Sequence, residues 1–300
     1  MTCEELNRRY GAPGRIVFRE NDEGVQIAAL ANQYGTAEIS LYGAQTLSYK
    51  PTGNLPVLFA PPTMLFGPDR ADHGGIPVCW PWFGRCGEPG AYGHGFARRS
   101  IWEVRGSEYS EDLTELTLGL ESSPATKKLW PYDFDLQLKI SVSMKLNLGL
   151  LTTNTGDVPF KITEGFHPYF LVRERDLVTV RGVDGCAFCD ARKTDVADAT
   201  WTGDLAFTAP HDHVFTTEKN EFAILDPGLR RAIAIMSRGN KKLVVWNPGP
   251  EEKTDRNLRA DDWRNFVCVE PATLFRPDAI EIAPGEKHEL LMAVQSVPEK

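Results

Sequence analysis

Apolar and polar residues alternate with a period of two along much of the chain. The longest case covers residues 134–150. Phe134, Leu136, Leu138, Ile140, Val142, Met144, Leu146, Leu148 and Leu150 are all apolar. Up to Asn147 the positions between them are Asp, Gln, Lys, Ser, Ser, Lys and Asn. Successive side chains of a strand point to opposite faces, so this stretch predicts one long strand with a single buried face. Leu116, Leu118 and Leu120 repeat the pattern just upstream. Gly156-Asp157 predicts a turn and residues 160–162 the next strand. Residues 38–41 alternate before Gly43. Apolar runs at 232–236, 243–246, 266–269 and 290–294 predict short strands buried on both faces. No stretch predicts a helix of three turns. Many strands between turn residues, with 26 glycines and 21 prolines, predict an all-β chain folded as a large antiparallel β-sandwich. All-β domains reach this size as one unit, so residues 1–300 are read as a single domain.

The composition, 42% hydrophobic and 25% charged, excludes a disordered or collagen-like chain. Thirty-three basic and 41 acidic residues give a formal charge of −8, without the basic footprint of a nucleic-acid binder. No run approaches 18 apolar residues, so no transmembrane helix and no membrane partner are expected. The first thirty residues carry charges throughout and lack the apolar segment of a signal peptide. The six cysteines, at 3, 79, 86, 186, 189 and 268, are then expected as free thiols of a cytoplasmic protein. Cys186 and Cys189 have the spacing of half a zinc ribbon. No second pair matches it, and Cys79 and Cys86 are too far apart, so no metal is expected.

Residues 67–95 break the strand pattern. They hold eight glycines, prolines at 68, 77, 81 and 89, and the aromatics Trp80, Trp82 and Phe83, with Arg70, Arg85, Arg98 and Arg99 in or beside them. Such a loop suits ligand binding. It equally suits a crossover whose aromatics seal one end of a sandwich. Pro168 keeps His167 extended and ends regular pairing there, so His167 is either a cleft group or a packed histidine. Glu270 ends the apolar run at 266–269 and precedes Pro271. A carboxylate so placed either pairs structurally or works as an acid or base. His211-Asp212-His213 puts two imidazoles on one strand face, but without an evident third ligand it reads as a polar stretch before Val214-Phe215. Gly74-Gly75 and Gly93-x-Gly95 are not nucleotide fingerprints, since neither joins a strand to a helix. No Gly-x-Ser-x-Gly elbow supports a serine hydrolase.

Five segments taken together resemble a known family. They are Gly74-Gly-Ile-Pro-Val-Cys-Trp-Pro-Trp-Phe-Gly84, Gly93-His-Gly-Phe-Ala-Arg98 with Trp102 following, Phe166-His-Pro-Tyr-Phe170, Val244-Val-Trp-Asn-Pro248 and Val267-Cys-Val-Glu-Pro271. In this order they resemble the hexose-6-phosphate mutarotases, or glucose-6-phosphate 1-epimerases, of the aldose 1-epimerase superfamily. The resemblance implies a galactose-mutarotase-like β-supersandwich. It also implies an isomerase that interconverts the α and β anomers at C1 of an aldohexose 6-phosphate, glucose 6-phosphate foremost, without a cofactor. Ring opening takes a proton from O1 and gives one to O5, with base and acid on opposite sides of C1. The matching positions give Glu270 as base and His167 as acid. Their ordinary pKa values, near 4 and 6.5, would leave the carboxylate ionised and the imidazole able to hold a transferable proton.

The same resemblance assigns Asp212 to the sugar hydroxyls and Arg98 to the phosphate, where a guanidinium fork suits the oxygens. His73, His94 and Trp82 join the expected substrate-binding set. Trp80, Trp82 and Phe83 are suited to a sugar's C–H face. The chain departs from the family at two positions. His73 stands where arginine is common, and Gly93 where glutamine is frequent, both in the set that holds the sugar phosphate. Arg70, Arg85 or Arg99 are candidates to compensate. The alternatives are an epimerase for an unphosphorylated sugar, a sugar-binding protein without turnover, and a two-carboxylate glycosidase. A small sugar is the expected partner and a monomer the expected state.

Overall fold

A computed structural model describes residues 1–61, 73–85, 92–192, 199–251, 258–274 and 278–298. Among these residues the strands form sheets of nine, eight, four and two strands. The nine-stranded sheet is antiparallel and runs Leu205–Ala206, Thr179–Arg181, Glu221–Asp226, Arg231–Arg238, Lys287–Pro298, Leu146–Asn154, Phe134–Val142, Thr114–Glu121, Glu103–Tyr109. The eight-stranded sheet runs Ala199–Thr200, Ala187–Asp190, His211–Thr216, Lys242–Asn247, Phe266–Thr273, Glu164–Phe166, Val78–Cys79. Tyr169–Leu171 adds to it alongside Phe266–Thr273. One core cluster draws on both sheets, through Leu136, Ile140, Ile233 and Ile235 from the first and Phe166, Phe215, Val245 and Val269 from the second. The predicted large antiparallel β fold is therefore the observed one. Among the described residues no helix is long and apolar enough to cross a membrane.

The period-two stretch at 134–150 is not one strand. The chain reverses at residues 143–145, and Phe134–Val142 pairs with Leu146–Asn154, Val142 opposite Leu146. A three-residue turn keeps even positions on one face on both sides of the reversal, so alternation alone cannot reveal it. Met144 sits at the tip, 64% exposed, in an apolar slot of the pattern with no core beneath it. The runs at 232–236 and 290–294 are buried on one face only: Ile233 and Ile235 are buried, whereas Ala232, Ala234 and Met236 are half-buried. Full two-face burial holds for Phe266–Thr273. A short helix at Cys3–Tyr10, absent from the sequence reading, starts on a capping box in which Thr2 accepts from the Glu5 N–H and Glu5 accepts from the Thr2 N–H.

The face of the eight-stranded sheet turned away from that core carries the chemistry. Val267 and Val269 point into the core, so Cys268 and Glu270 point out of it. Pairing aligns Asp212, Trp246, Cys268 and Tyr169 in one row across four strands. Glu270 pairs with Val244 in the next row.

Candidate active site

His167 and Glu270 meet because two strands share one register. Tyr169 pairs with Cys268 and Gly165 with Ala272, which sets His167 opposite Glu270. Pro168 lacks an N–H, and the ladder is interrupted there between Glu164–Phe166 and Tyr169–Leu171. The His167 N–H donates instead to the Pro77 carbonyl at 3.1 Å. His167 Nδ1 then lies 3.6 Å from Glu270 Oε1. His167 is 8% exposed and Glu270 1%. Nδ1 and both carboxylate oxygens are buried without a hydrogen-bond partner among the described residues.

Aromatic rings fix the imidazole. Tyr169 stacks on it at 4.9 Å with planes 8° apart, Phe83 lies nearly parallel at 6.3 Å, and Trp246 stands edge-on at 5.7 Å. His94 approaches to 5.5 Å between ring centroids. Its own ring lies against Phe83, with Nδ1 3.5 Å from Cys79 Sγ. The His94 backbone is left-handed, with φ of 61°, and Gly95 follows at φ of 77°. A Cβ on Gly95 would fall 2.0 Å from the Trp80 carbonyl oxygen, so only glycine lets this turn lie against the sheet. His73 meets the edge of Tyr169 at 5.8 Å. Arg98 stands in the short 3-10 turn Ala97–Arg99 that follows.

These surroundings displace both ordinary titrations expected from the sequence. Burial, then the nearby charge of Asp212, pushes the Glu270 carboxyl well above the usual carboxylate range, with Arg98 opposing. Burial, then His94, Arg98 and His73, holds His167 well below the usual imidazole value. Burial, with Arg98 and His73 nearby, lowers His94 to about 3. Asp212 is raised by burial and by Asp190, with Arg192 opposing. The Arg192 guanidinium, 2.9 Å from Asp190, pulls that carboxyl down to about 2. An open cleft beside the row has Asp212, Trp246, His211 and Arg192 in its walls. The arrangement offers a carboxyl and an imidazole side by side, able to give and accept protons, with the Arg98 cation within electrostatic reach of both and the Asp212 anion within reach of the carboxyl.

The expected residues therefore divide. His167 and Glu270 are brought together, His94 and His73 surround them, and Arg98 and Asp212 act on Glu270 through charge. Trp82 is turned elsewhere: its Nε1 donates to the Tyr92 carbonyl at 2.7 Å and its ring meets Phe96. Trp80 is fully buried in the core against Phe134, so it presents no face to a sugar; this corrects the expectation for that residue. Phe83 alone of the three aromatics reaches His167. Arg85 is exposed. Arg70, Cys86 and residues 67–72 and 86–91 of the glycine-rich loop lie outside the described residues. Cys186 packs in the main core and Cys189 against Val214 and Val244 on the opposite face, so the pair cannot turn both thiols to one ion.

Tyr169 and Cys268 were not singled out by the sequence. Each stands two residues from a singled-out group on the same strand face, and that spacing was the available signal. Cys268 Sγ, an imidazole nitrogen of His167 and a carboxylate oxygen of Glu270 lie within 4.8 Å of one another.

The family model described as "Aldose 1-epimerase" matches residues 26–295. The chain is 35% identical over 258 residues to a protein of Escherichia coli K12 named "Putative glucose-6-phosphate 1-epimerase", covering 86% of each chain. It is 29% identical to a protein of the same name from Cenchrus ciliaris, covering 87% of this chain and 82% of the other. The crystal structure of YeaD from Salmonella typhimurium, a "putative mutarotase", superposes with a TM-score of 0.88 at 28% identity, over 96% of this chain and 95% of that one. Slr1438 from Synechocystis sp. PCC 6803 shares the fold, with a TM-score of 0.76 at 22% identity over 95% and 96%.

Proposed function

The chain belongs to the aldose 1-epimerase family, and from that premise we propose that it interconverts the α and β anomers of an aldohexose 6-phosphate, foremost glucose 6-phosphate, with His167 and Glu270 moving the protons. The chain is thus an isomerase. The observation that carries the assignment of roles is the buried, otherwise unpaired contact of 3.6 Å between His167 Nδ1 and Glu270 Oε1.

In this reading the roles expected from the sequence, Glu270 as base and His167 as acid, are exchanged for the ring-opening step. O1 and O5 share C1, so groups standing side by side reach both. Burial favours the neutral forms of both residues, with the pair's one transferable proton on Glu270. Glu270 gives this proton to one sugar oxygen while His167 takes the proton of the other. The C1–O5 bond breaks and the open-chain aldehyde forms. Rotation about C1–C2 presents the other face, and the reverse transfers close the ring. Acid–base help of this kind supplies about 10²–10⁴-fold.

Asp212 is proposed to hold sugar hydroxyls and Arg98 the phosphate, with His73 and His94 lining the same pocket. The aromatic contact expected of Trp82 passes, in this reading, to Phe83. The names of the relatives support the phosphate. His73 and Gly93, at two positions of the phosphate-holding set, favour a second reading, an unphosphorylated aldose. We further propose a single domain, supported by a core cluster running from Leu6 to Val294. We propose a cytoplasmic monomer without nucleic-acid or membrane partners, supported by the charge of −8 and by thiols outside any disulfide at Cys3, Cys186 and Cys268.

Anomer exchange measured by magnetisation-transfer NMR, above the spontaneous rate, tests the reading. Acceleration with glucose 6-phosphate and not with glucose is the expected result. Acceleration with glucose alone moves the assignment to the second reading, and none with either overturns both.

A further inference from the structure

The proton transfers proposed above do not use Cys268, yet it stands in the same pocket as His167 and Glu270. It is two residues before Glu270 on one strand face, and it pairs across the sheet with Tyr169, whose ring lies on His167. Its Sγ, an imidazole nitrogen of His167 and a carboxylate oxygen of Glu270 lie within 4.8 Å of one another. Thiolate, imidazole and carboxylate form a zinc-type donor set. Tetrahedral zinc with bonds of about 2.0–2.3 Å needs ligand atoms roughly 3.3–3.8 Å apart. The His167–Glu270 contact, at 3.6 Å, already has that span. A second, independent observation points the same way. His167 Nδ1 and both Glu270 oxygens are buried and unpartnered among the described residues, so these donors are unspent.

We infer that this pocket binds one borderline-soft divalent cation of the zinc class through His167, Cys268 and Glu270, and that the bound cation blocks sugar turnover. Binding displaces the Cys268 thiol proton to solvent as the sulfur–metal bond forms, and any proton on Glu270 leaves likewise. A thiolate and a carboxylate then balance the two positive charges in a buried setting. Imidazole and carboxyl held by the cation cannot exchange protons with O1 and O5. The blocking half of this inference rests on the proposed function; the binding half does not.

Cobalt(II) reports the site without any sugar present. The full-length protein, freed of metal with a chelator, is titrated with cobalt(II) and then with zinc. One equivalent is expected to bind with a near-ultraviolet sulfur-to-cobalt charge-transfer band, and zinc to abolish the band. Cys268→Ser is expected to lose the band and to weaken zinc binding at least about tenfold, while Cys79→Ser keeps the band. No band in the wild type, a band retained in Cys268→Ser, or one lost in Cys79→Ser overturns the site. Native mass spectrometry of the wild type gives an independent check that needs no variant. One bound zinc per chain is expected, and no bound zinc overturns the site. Zinc that binds at Cys268 without slowing anomer exchange overturns the block, and with it the role given to the pair. Absence of the cobalt band leaves that role untouched.

Discussion

Glu270 shows how a reactive group and a stable fold oppose each other. A carboxyl 1% exposed is held above its ordinary range chiefly by burial, so the folded state favours its protonated form. Above the unfolded value of about 4.3 that preference costs stability, because the unfolded chain releases the proton freely and the folded one does not. Below that value the carboxyl is neutral in both states and the cost vanishes. Glu270→Gln removes the cost while keeping the shape. It is expected to lower anomer exchange by about 10²-fold or more. It should also raise stability at pH 8 by about 0.5–2 kcal/mol, a gain that fades as the pH falls through 5 to 4. Denaturant unfolding across that range, beside the exchange assay, checks both signs.

Among the elements, the turn that carries His94 is the most demanding. Gly95 has φ of 77° and no room for a side chain, whereas Gly14, at φ of 73°, has nothing within 4 Å of a Cβ. The two glycines separate backbone conformation from crowding. Gly14→Ala should cost about 1–2 kcal/mol, the penalty of the left-handed region alone. Gly95→Ala adds a clash with the Trp80 carbonyl, which belongs to backbone and cannot yield cheaply. It should cost more than the Gly14 change and reduce anomer exchange at least about tenfold, since His94 loses its seat. Unfolding and exchange measured for both variants distinguish the two effects.

Across the whole molecule, Glu164 joins the two large sheets. It belongs to the eight-stranded sheet, is fully buried, and meets His288 Nε2 of the nine-stranded sheet at 2.9 Å. Burial raises the Glu164 carboxyl, and His288 opposes that rise. His288→Ala strands a buried carboxyl and should cost about 1–3 kcal/mol. Replacing both residues by leucine should recover much of the loss, since apolar substitutes of a buried pair are often neutral. A double-mutant cycle by denaturant unfolding decides it. Anomer exchange should change little in any variant that stays folded, because the pair lies on the core side of the sheet.

Much of this protein was legible in one dimension. Period-two alternation needs no partner to be read, so the all-β character and the buried face of residues 134–142 came from local pattern alone. The break in pairing at His167 was visible beside Pro168, because proline's missing N–H is a local fact; Glu270, expected at a strand end before Pro271, instead lies inside Phe266–Thr273, where pairing runs on through Pro271. The chain reversal at 143–145 was hidden, since its three-residue turn preserves the alternation. What two groups do to each other required the fold. His167 and Glu270 are about a hundred residues apart, and only the pairing of Tyr169 with Cys268 and Gly165 with Ala272 sets them opposite one another. Their protonation followed from burial and from Asp212, Arg98 and His94, which no sequence spacing encodes. The packed sheets also buried Trp80, set Phe83 against the imidazole and brought Cys268 into the pocket. Periodicity and backbone chemistry are properties of neighbours along the chain, whereas distance, dielectric and charge between strands exist only once the sheets are packed.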